Sequence, residues 1–413
     1  MSKSHMYDSG LMVLKTLEYL HNLPEPSIGE KQIQVRTTDI AEYLTRLNLT
    51  PQGTVTRDTA KKILDSIADS STGYLLERKT SNGGQDEYWY RRAFTLEQIS
   101  LLSTIITSSM FLNEQQIGDL LAQLSALTSK DNAAELSAAD HFLRPRMMND
   151  DALDNLRIIH EAINNKQALR FYIGGFDTDK HVYYDKPVRG KTKEYERITL
   201  LGTPTKQILT KKYPEQGVPI ICYPYALVWD NSRCYLICGI EKDDHIHLWN
   251  YRVDRMFELK PYAKAGYREA KSSPYYKNMT IDAERYLHSV FKMFANNDRL
   301  SLITLQFKKK LTRVIVEKFG FDVLIESVDD LYAKTSVEVQ ISQQFYGWLT
   351  GFRATDLRII SPTSEVSSYI EYLQGAIDKY SLNVTVNQTS GQKNKPRSTS
   401  AQIPYSVHHN ELQ

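Results

Sequence analysis

The stretch from Ile220 to Leu259 limits most tightly what this chain can fold into, because turn residues interrupt its apolar runs too often for helix. Ile220–Trp229 is apolar and aromatic, Asp230-Asn231-Ser232 has turn chemistry, and Arg233–Ile240 is a β-branched and aromatic run. Glu241–Asp244 turns again and His245–Met256 alternates back, which predicts three short strands in a β-meander. Strand parity puts Arg233 and Tyr235 on one face. It puts Arg252 with Asp254 but not with Arg255, so both arginines reach one ligand only if the strand ends or bends between them.

At 413 residues the chain is long for one core, and two to four domains are expected. A composition of 41% hydrophobic and 24% charged residues is ordinary for a soluble protein. Ile99–Leu112 is the longest apolar run, but its Ser and Thr content and its length fall short of a membrane span. Nothing at Met1–Asp8 resembles a signal peptide, so a cytoplasmic protein without membrane partners is expected. Cys222, Cys234 and Cys238 are too few and too clustered for a disulfide framework. Net charge is only +2, and Met1–Arg92 carries twelve basic and twelve acidic residues. Any nucleic-acid contact must therefore come from a local patch.

Asp8–Asn22 carries its leucines on one helical face, and Leu23–Lys31 is a loop. Thr38–Leu47 and Thr54–Ala68 follow as two short helices around a turn at Asn48–Gln52, the pattern of a helix-turn-helix. Tyr74–Tyr90 is two alternating runs around Asn82-Gly83-Gly84, which reads as a hairpin wing. The string TVTRDTAKKIL is similar to the recognition helix of winged-helix bacterial repressors. Phe94–Leu127 looks helical with Thr95 as its cap, and its stripe of Leu101, Ile105, Leu120, Leu121 and Leu124 suits either a dimer seam or packing onto the wing domain. Asp131–Met148 is a polar connector, Ala152–Lys166 a helix and Leu169–Ile173 a strand. Gly174–Gly217 is a long polar insertion. Pro261–Met279 reads as a linker, and from Asp298 onward strands and helices alternate in the order βαββαβ, with a last helix at Ser364–Tyr380. The Ser-, Gln- and Asn-rich segment Asn387–Gln413 is expected to be disordered.

Pro224-Tyr225-Ala226-Leu227, Cys234-Tyr235-Leu236 and Tyr251-Arg252-Val253-Asp254-Arg255-Met256 follow one another as three strands. In this order they resemble the core of the WYL domain, with Cys234 in place of the name-giving Trp. The C-terminal βαββαβ segment, with Trp348-Leu349 and Leu357–Pro362, resembles the extension that follows WYL domains. The resemblance runs from about Asp8 to Tyr380. It implies a multidomain α+β protein: a winged helix-turn-helix at 1–93, a helical linker or dimerisation region at 94–150, and a WYL-like domain at 151–262 carrying the insertion 174–217. A C-terminal extension at 298–381 and a disordered tail at 384–413 complete it. The middle domain is expected to be a small Sm/SH3-like β-barrel and the extension a ferredoxin-like unit. The implied function is a bacterial-type, usually homodimeric, ligand-responsive transcriptional regulator that binds a palindromic double-stranded DNA operator and senses a nucleotide or oligonucleotide effector. An accessory protein that binds single-stranded nucleic acid or modulates a partner nuclease is the alternative.

In a helix-turn-helix the N-terminal turn of the second helix enters the major groove, where small polar side chains and Arg read base edges. Thr54, Thr56 and Arg57 occupy that turn, while Lys61, Lys62, Thr37 and Thr38 are placed to meet phosphates. For the effector, Arg233, Arg252 and Arg255 offer planar forks for phosphate, and Tyr172, Tyr225 and Tyr235 offer rings for bases, with His247 nearby. Alternatively Asp254 pairs with an arginine to close the barrel and the tyrosines are core. His245 and His247 beside Cys234 and Cys238 suggest zinc, but Cys234 and Cys238 lie about 13 Å apart along a strand at ~3.3 Å per residue. Two thiolates on one zinc must approach within about 4 Å, so no metal is expected. No cofactor is expected, and no enzyme signature such as Gly-x-Ser-x-Gly, a P-loop lysine or His-Glu-x-x-His is present.

Overall fold

The computed structural model describes residues 3–24, 32–50, 53–70, 75–81, 84–129, 133, 150–200, 205–213, 215–294 and 300–390. They form a mixed α+β protein with several sheets, divided into two compact units, Met1–Ile281 and Asp282–Gln413.

The first unit opens with α1 (Lys3–His21), β1 (Ile33–Val35), α2 (Thr37–Arg46), α3 (Arg57–Ser70), β2 (Leu76–Thr80) and β3 (Asp86–Tyr90). Leu20, Ile40, Leu44, Leu64, Leu76 and Tyr88 join in one apolar core, set by the i, i+3/i+4 spacing of the helices. The hairpin acquires a third strand, with order β1-β3-β2. Gly84 takes a φ of +74° in its turn, and the Asn82-Gly83 expected to lead that turn lies outside the described residues. The run 94–127 is broken into α4 (Leu96–Ser108) and α5 (Glu114–Ser125). Each begins with a reciprocal capping box, Thr95 with Gln98 and Asn113 with Gln116, so a second local start signal inside the run ends the single helix. The apolar stripe divides accordingly. Leu120 and Leu121 pack against the core of the following sheet and Leu124 is buried, whereas Leu101 and Ile105 remain exposed. The connector expected at 131–148 lies outside the described residues, save Ala133.

The rest of the unit contains α6 (Ala152–Asn164) and β4 (Leu169–Phe176), then β5 (Val182–Pro187), β6 (Glu194–Leu200) and β7 (Thr205–Thr210). The meander follows as β8 (Ile220–Asp230), β9 (Arg233–Lys242) and β10 (His245–Arg252), and β11 (Met256–Pro261) comes after it. Its two tight turns have both central residues at positive φ, Asn231 with Ser232 and Asp243 with Asp244, as right-twisted strands joined by two residues require. Strand order is β10-β9-β8-β4-β5-β6-β7, with β11 pairing β4. The expected barrel is therefore not closed. A single 3-10 turn, Val253–Arg255, separates β10 from β11, and no ladder joins those two strands among the described residues. The polar insertion is a three-stranded antiparallel extension of the sheet, whose Val182, Tyr184 and Ile198 pack with Tyr172 and Phe257. Facing the meander, α6 buries Ala152, Ile159 and Ala162 against Phe171, Leu236 and Cys238. The fully buried Asp254 and the Asn155 amide, which donates to the Met256 carbonyl at 2.9 Å, are the polar groups at this junction. The expected linker after Pro261 packs instead: Ala270 and Tyr275 are buried, and the segment ends in a short hairpin, β12 (Tyr276–Lys277) with β13 (Thr280–Ile281).

The second unit begins with α7 (Ala283–Ser289). It continues β14 (Leu300–Lys308), α8 (Thr312–Phe319), β15 (Ile325–Ser327), β16 (Tyr332–Gln340), α9 (Gln343–Thr350) and β17 (Leu357–Ser361). The antiparallel order β15-β16-β14-β17 lets alternate residues Ile303, Leu305 and Phe307 meet Ile315, Phe345 and Leu349 on one face. The last helix, α10 (Thr363–Ser390), runs past the expected start of the tail at 384, and the remainder of that tail lies outside the described residues.

Candidate nucleic-acid and effector sites

Packing of α2 against α3 leaves one surface of the pair free. Ile40, Ala41 and Leu44 face Ala60, Ile63, Leu64 and Ile67 in the core. The turn is pinned where the buried Val55 donates its N–H to Thr45 Oγ1 at 2.9 Å. Thr54, Thr56, Arg57, Asp58, Lys61 and Lys62 are all exposed. The helix starts at Arg57 rather than at Thr54, so Thr54 and Thr56 precede it in extended backbone. Thr56 has a local duty: its Oγ1 accepts from the Thr59 N–H at 3.2 Å, which satisfies a free donor of the first turn. Arg57 stands at an open cleft of about 490 Å³ lined also by Thr38, Glu42, Arg46 and Val55. Thr37 and Thr38 are half-buried at the start of α2.

Carboxylates tie α3 to the wing. Lys61 Nζ meets Asp86 at 2.9 Å, and this hydrogen bond holds the Asp86 carboxyl below its ordinary range. Asp65 accepts from the Tyr88 hydroxyl at 2.6 Å and from Arg78 at 3.0 Å. Arg57 and Lys62 make no hydrogen bond or ion pair among the described residues, so of the expected contacts they are the cations free to meet an anion.

The ladder between β9 and β10 sorts the expected effector residues by face. Tyr235 lies opposite Arg252 and Ile240 opposite His247. Opposed residues share a face and neighbours alternate. Arg233, Tyr235 and Arg252 thus lie on one side, and His247 lies on the other with Cys234, Leu236 and Cys238. The 3-10 turn supplies the bend that parity required. It brings Arg255 beside this group, where its Nε donates to the Gly174 carbonyl at 2.7 Å. Burial, and next the charge of Arg252, depress the Arg255 pKa. Arg252 itself grips Asp254 with both prongs, Nε to Oδ1 at 3.0 Å and a terminal nitrogen to Oδ2 at 2.6 Å. The pairing of Asp254 with an arginine, one of the two alternatives the sequence left open, is what the geometry shows. Arg233 Nε is buried and meets no partner among the described residues.

Two expected rings stand elsewhere. Tyr172 is only 4% exposed, within the cluster of Tyr184 and Phe257, and cannot stack on an incoming base. Tyr225 donates to the Arg268 carbonyl at 2.9 Å and packs against Gly239, beneath the segment after Pro261. The insertion supplies a further ring, Tyr183, outside the set the sequence suggested. Tyr183 bears on Arg255, and the Arg197 guanidinium lies 3.9 Å over the Tyr183 ring while it holds Asp185 through two hydrogen bonds of 2.8 and 2.9 Å. The alternation Val182-Tyr183-Tyr184 followed by Tyr195-Glu196-Arg197-Ile198 was the available signal.

Cys234, where the resemblance to the WYL domain would place a Trp, is fully buried, and burial followed by the nearby Asp254 pushes its thiol up to about 12. Such a thiol is inert at neutral pH. Among the described residues, Asp177, Asp179 and His181 in the turn between β4 and β5 are the group whose metal-ligating atoms converge, within 4.8 Å of one another. Cys234, Cys238, His245 and His247 form no such group there.

No family model and no curated protein matches the chain. Among solved structures, the proteasome accessory factor B/C (PafBC) of Arthrobacter aurescens aligns at 14% identity and a TM-score of 0.25, over 89% of this chain and 54% of that one. The chain thus spans about half the length of that protein. A CRISPR Cas-related protein aligns at 14% identity and a TM-score of 0.30, over 88% of this chain and 96% of that one. Likeness this slight assigns neither fold nor function. No helix among the described residues is long and apolar enough to cross a membrane.

Proposed function

We propose that the chain is a sequence-specific DNA-binding transcriptional regulator of the WYL type, in which a winged helix-turn-helix precedes an effector-sensing WYL-like domain and a ferredoxin-like extension. The observation that carries this reading is the free N-terminal end of α3. Thr54, Arg57 and Lys62 are exposed beside a three-stranded wing, and both cations lack internal partners among the described residues. Arg57 reads a base edge and Lys62 meets phosphate; Lys61 joins it when the tie to Asp86 yields. Arg233, Arg255 and Tyr235 form the effector-facing wall, with Arg252 as the group that holds the turn. The effector is a nucleotide or oligonucleotide, the protein acts as a homodimer on a palindromic operator, and it carries no enzymatic activity or cofactor.

A gel shift on the chain's own upstream duplex, against a scrambled duplex and a single strand at two salt concentrations, tests this. Selective binding of the upstream duplex that persists at the higher salt is expected. Salt-sensitive binding to every duplex would refute a sequence-specific regulator. Preference for the single strand would favour the accessory protein, a reading supported by the Arg197–Tyr183 stack beside the sheet arginines.

A further inference from the structure

The insertion ends the eight-stranded sheet in β7, Thr205-Lys206-Gln207-Ile208-Leu209-Thr210, which pairs with β6 on one side only among the described residues. Its register against β6 is continuous from Thr205 to Thr210. Natural edge strands are usually blunted by proline, by a bulge, by charges or by shortness. This one has six residues, no proline, no bulge and one lysine, and Ile208 is 60% exposed.

The hydrogen-bond phase of the edge can be worked out. The Lys211 N–H donates to the Lys193 carbonyl at 2.8 Å, so residues 211, 209, 207 and 205 spend their backbone groups on β6. Lys206, Ile208 and Thr210 therefore turn their N–H and C=O outward. These three also share one face of the sheet.

We propose that β7 pairs antiparallel with β7 of a second copy of this chain, about a two-fold axis at Ile208. A two-fold axis normal to the sheet keeps the same face on both copies, so partners must have the same parity. Centred on Ile208, the register sets Ile208 opposite Ile208 and Lys206 opposite Thr210 of the second copy. The hydrogen-bonded pairs are all outward-turned residues, Gln207 faces Leu209 between them, and no like charges face each other. Within each copy Thr210 lies opposite Glu194 on β6, so each Lys206, 3.9 Å from its own Glu196, is carried toward the second copy's Glu194, which Lys191 already meets at 2.9 Å. Centring on Lys206 would instead oppose the two ammonium groups, which is unfavourable. The Ile208 register joins two sheets into one and gives the insertion a role in assembly.

This pairing rests on the homodimer of the regulator reading, and sedimentation of the full chain without DNA separates the two: a monomer fails both, whereas a dimer indifferent to Ile208 fails the β7 pairing alone. The chain is expected to be a dimer. Ile208→Pro removes one outward N–H and none that bonds β6, and Ile208→Lys sets ammonium against ammonium on the axis. Each is expected to raise the dimer dissociation constant at least tenfold, with circular dichroism unchanged. Ile208→Cys keeps the proposal testable if those variants fold poorly. Cys222, Cys234 and Cys238 are fully buried, so a short bis-maleimide is expected to cross-link this variant as a dimer and to leave Leu302→Cys, exposed in the second unit, uncross-linked. A monomeric chain, a dimer indifferent to both Ile208 variants, or a modified Ile208→Cys that never cross-links would overturn the proposal.

Discussion

The two groups of cations differ in what they already hold. At the start of α3, Arg57 and Lys62 project into solvent without internal partners among the described residues, and only Lys61 is engaged, by Asp86. On the sheet, Arg252 is locked to a fully buried carboxylate and Arg255 to a backbone carbonyl. An exposed cation can exchange water and counterions for phosphate at little structural cost. A buried, paired one can be removed only by exposing its partner's unmet charge. Arginine is therefore free for recognition at Arg57 and committed to folding at Arg252.

The largest effect expected from breaking this contrast is at Asp254. Asp254→Ala leaves the Arg252 guanidinium without its buried counter-charge and should cost about 3 kcal/mol or more in urea unfolding. A change below about 1 kcal/mol would show that Arg252 is not structural. Gly174→Ala comes next, because the added Cβ would lie 2.2 Å from Phe257 Cε2 at the carbonyl that receives Arg255. Overpacking there should cost roughly 1–3 kcal/mol in the same assay. Arg57→Ala should show the opposite signature. Duplex affinity in the gel shift should fall by the equivalent of about 1–3 kcal/mol, while stability stays within about 0.5 kcal/mol. Thr56→Ala should lower stability by about 1 kcal/mol through the lost cap, and Thr56→Ser should restore it, unless Thr56 serves DNA alone.

The smallest effect concerns pH. The hydrogen bond from Lys61 holds the Asp86 carboxyl below its ordinary value. A depressed carboxylate contributes stability above its unfolded pKa and loses it as pH falls through the folded one. The tie between α3 and the wing should therefore be constant at neutral pH and lost only in acid, below the usual aspartate range. Side-chain NMR titration of Asp86 checks this, and an ordinary midpoint would mean that the ion pair is open in solution.

Where local chemistry decides, the sequence was legible. Asn231-Ser232 and Asp243-Asp244 tolerate positive φ and made the meander's turns readable. Thr95 was readable as a cap, and the run Ser301–Phe307 as a strand, whose Ile303, Leu305 and Phe307 the fold buries. The cap at Asn113 was equally local, yet it was hidden inside a longer apolar run. The insertion escaped because Lys186, Glu194, Glu196 and Lys206 share a face with Val182, Tyr184 and Ile198, while Tyr183 and Tyr195 stand on the other, which blurs the period-2 signal that a half-buried strand displays.

What the sequence alone determined is the three-strand meander with its two turns, the helix pair before the wing and the identity of the side chains offered at α3 and along β9 and β10. Tertiary structure decided which of those side chains remain on offer. It buried Tyr172 and Asp254, turned Tyr225 toward Arg268 and left Arg57 free. The reason is physical. Turn and helix preferences act over a few neighbouring residues, whereas the burial and pairing of a charge depend on elements far apart in the chain, and only the folded arrangement brings those elements together.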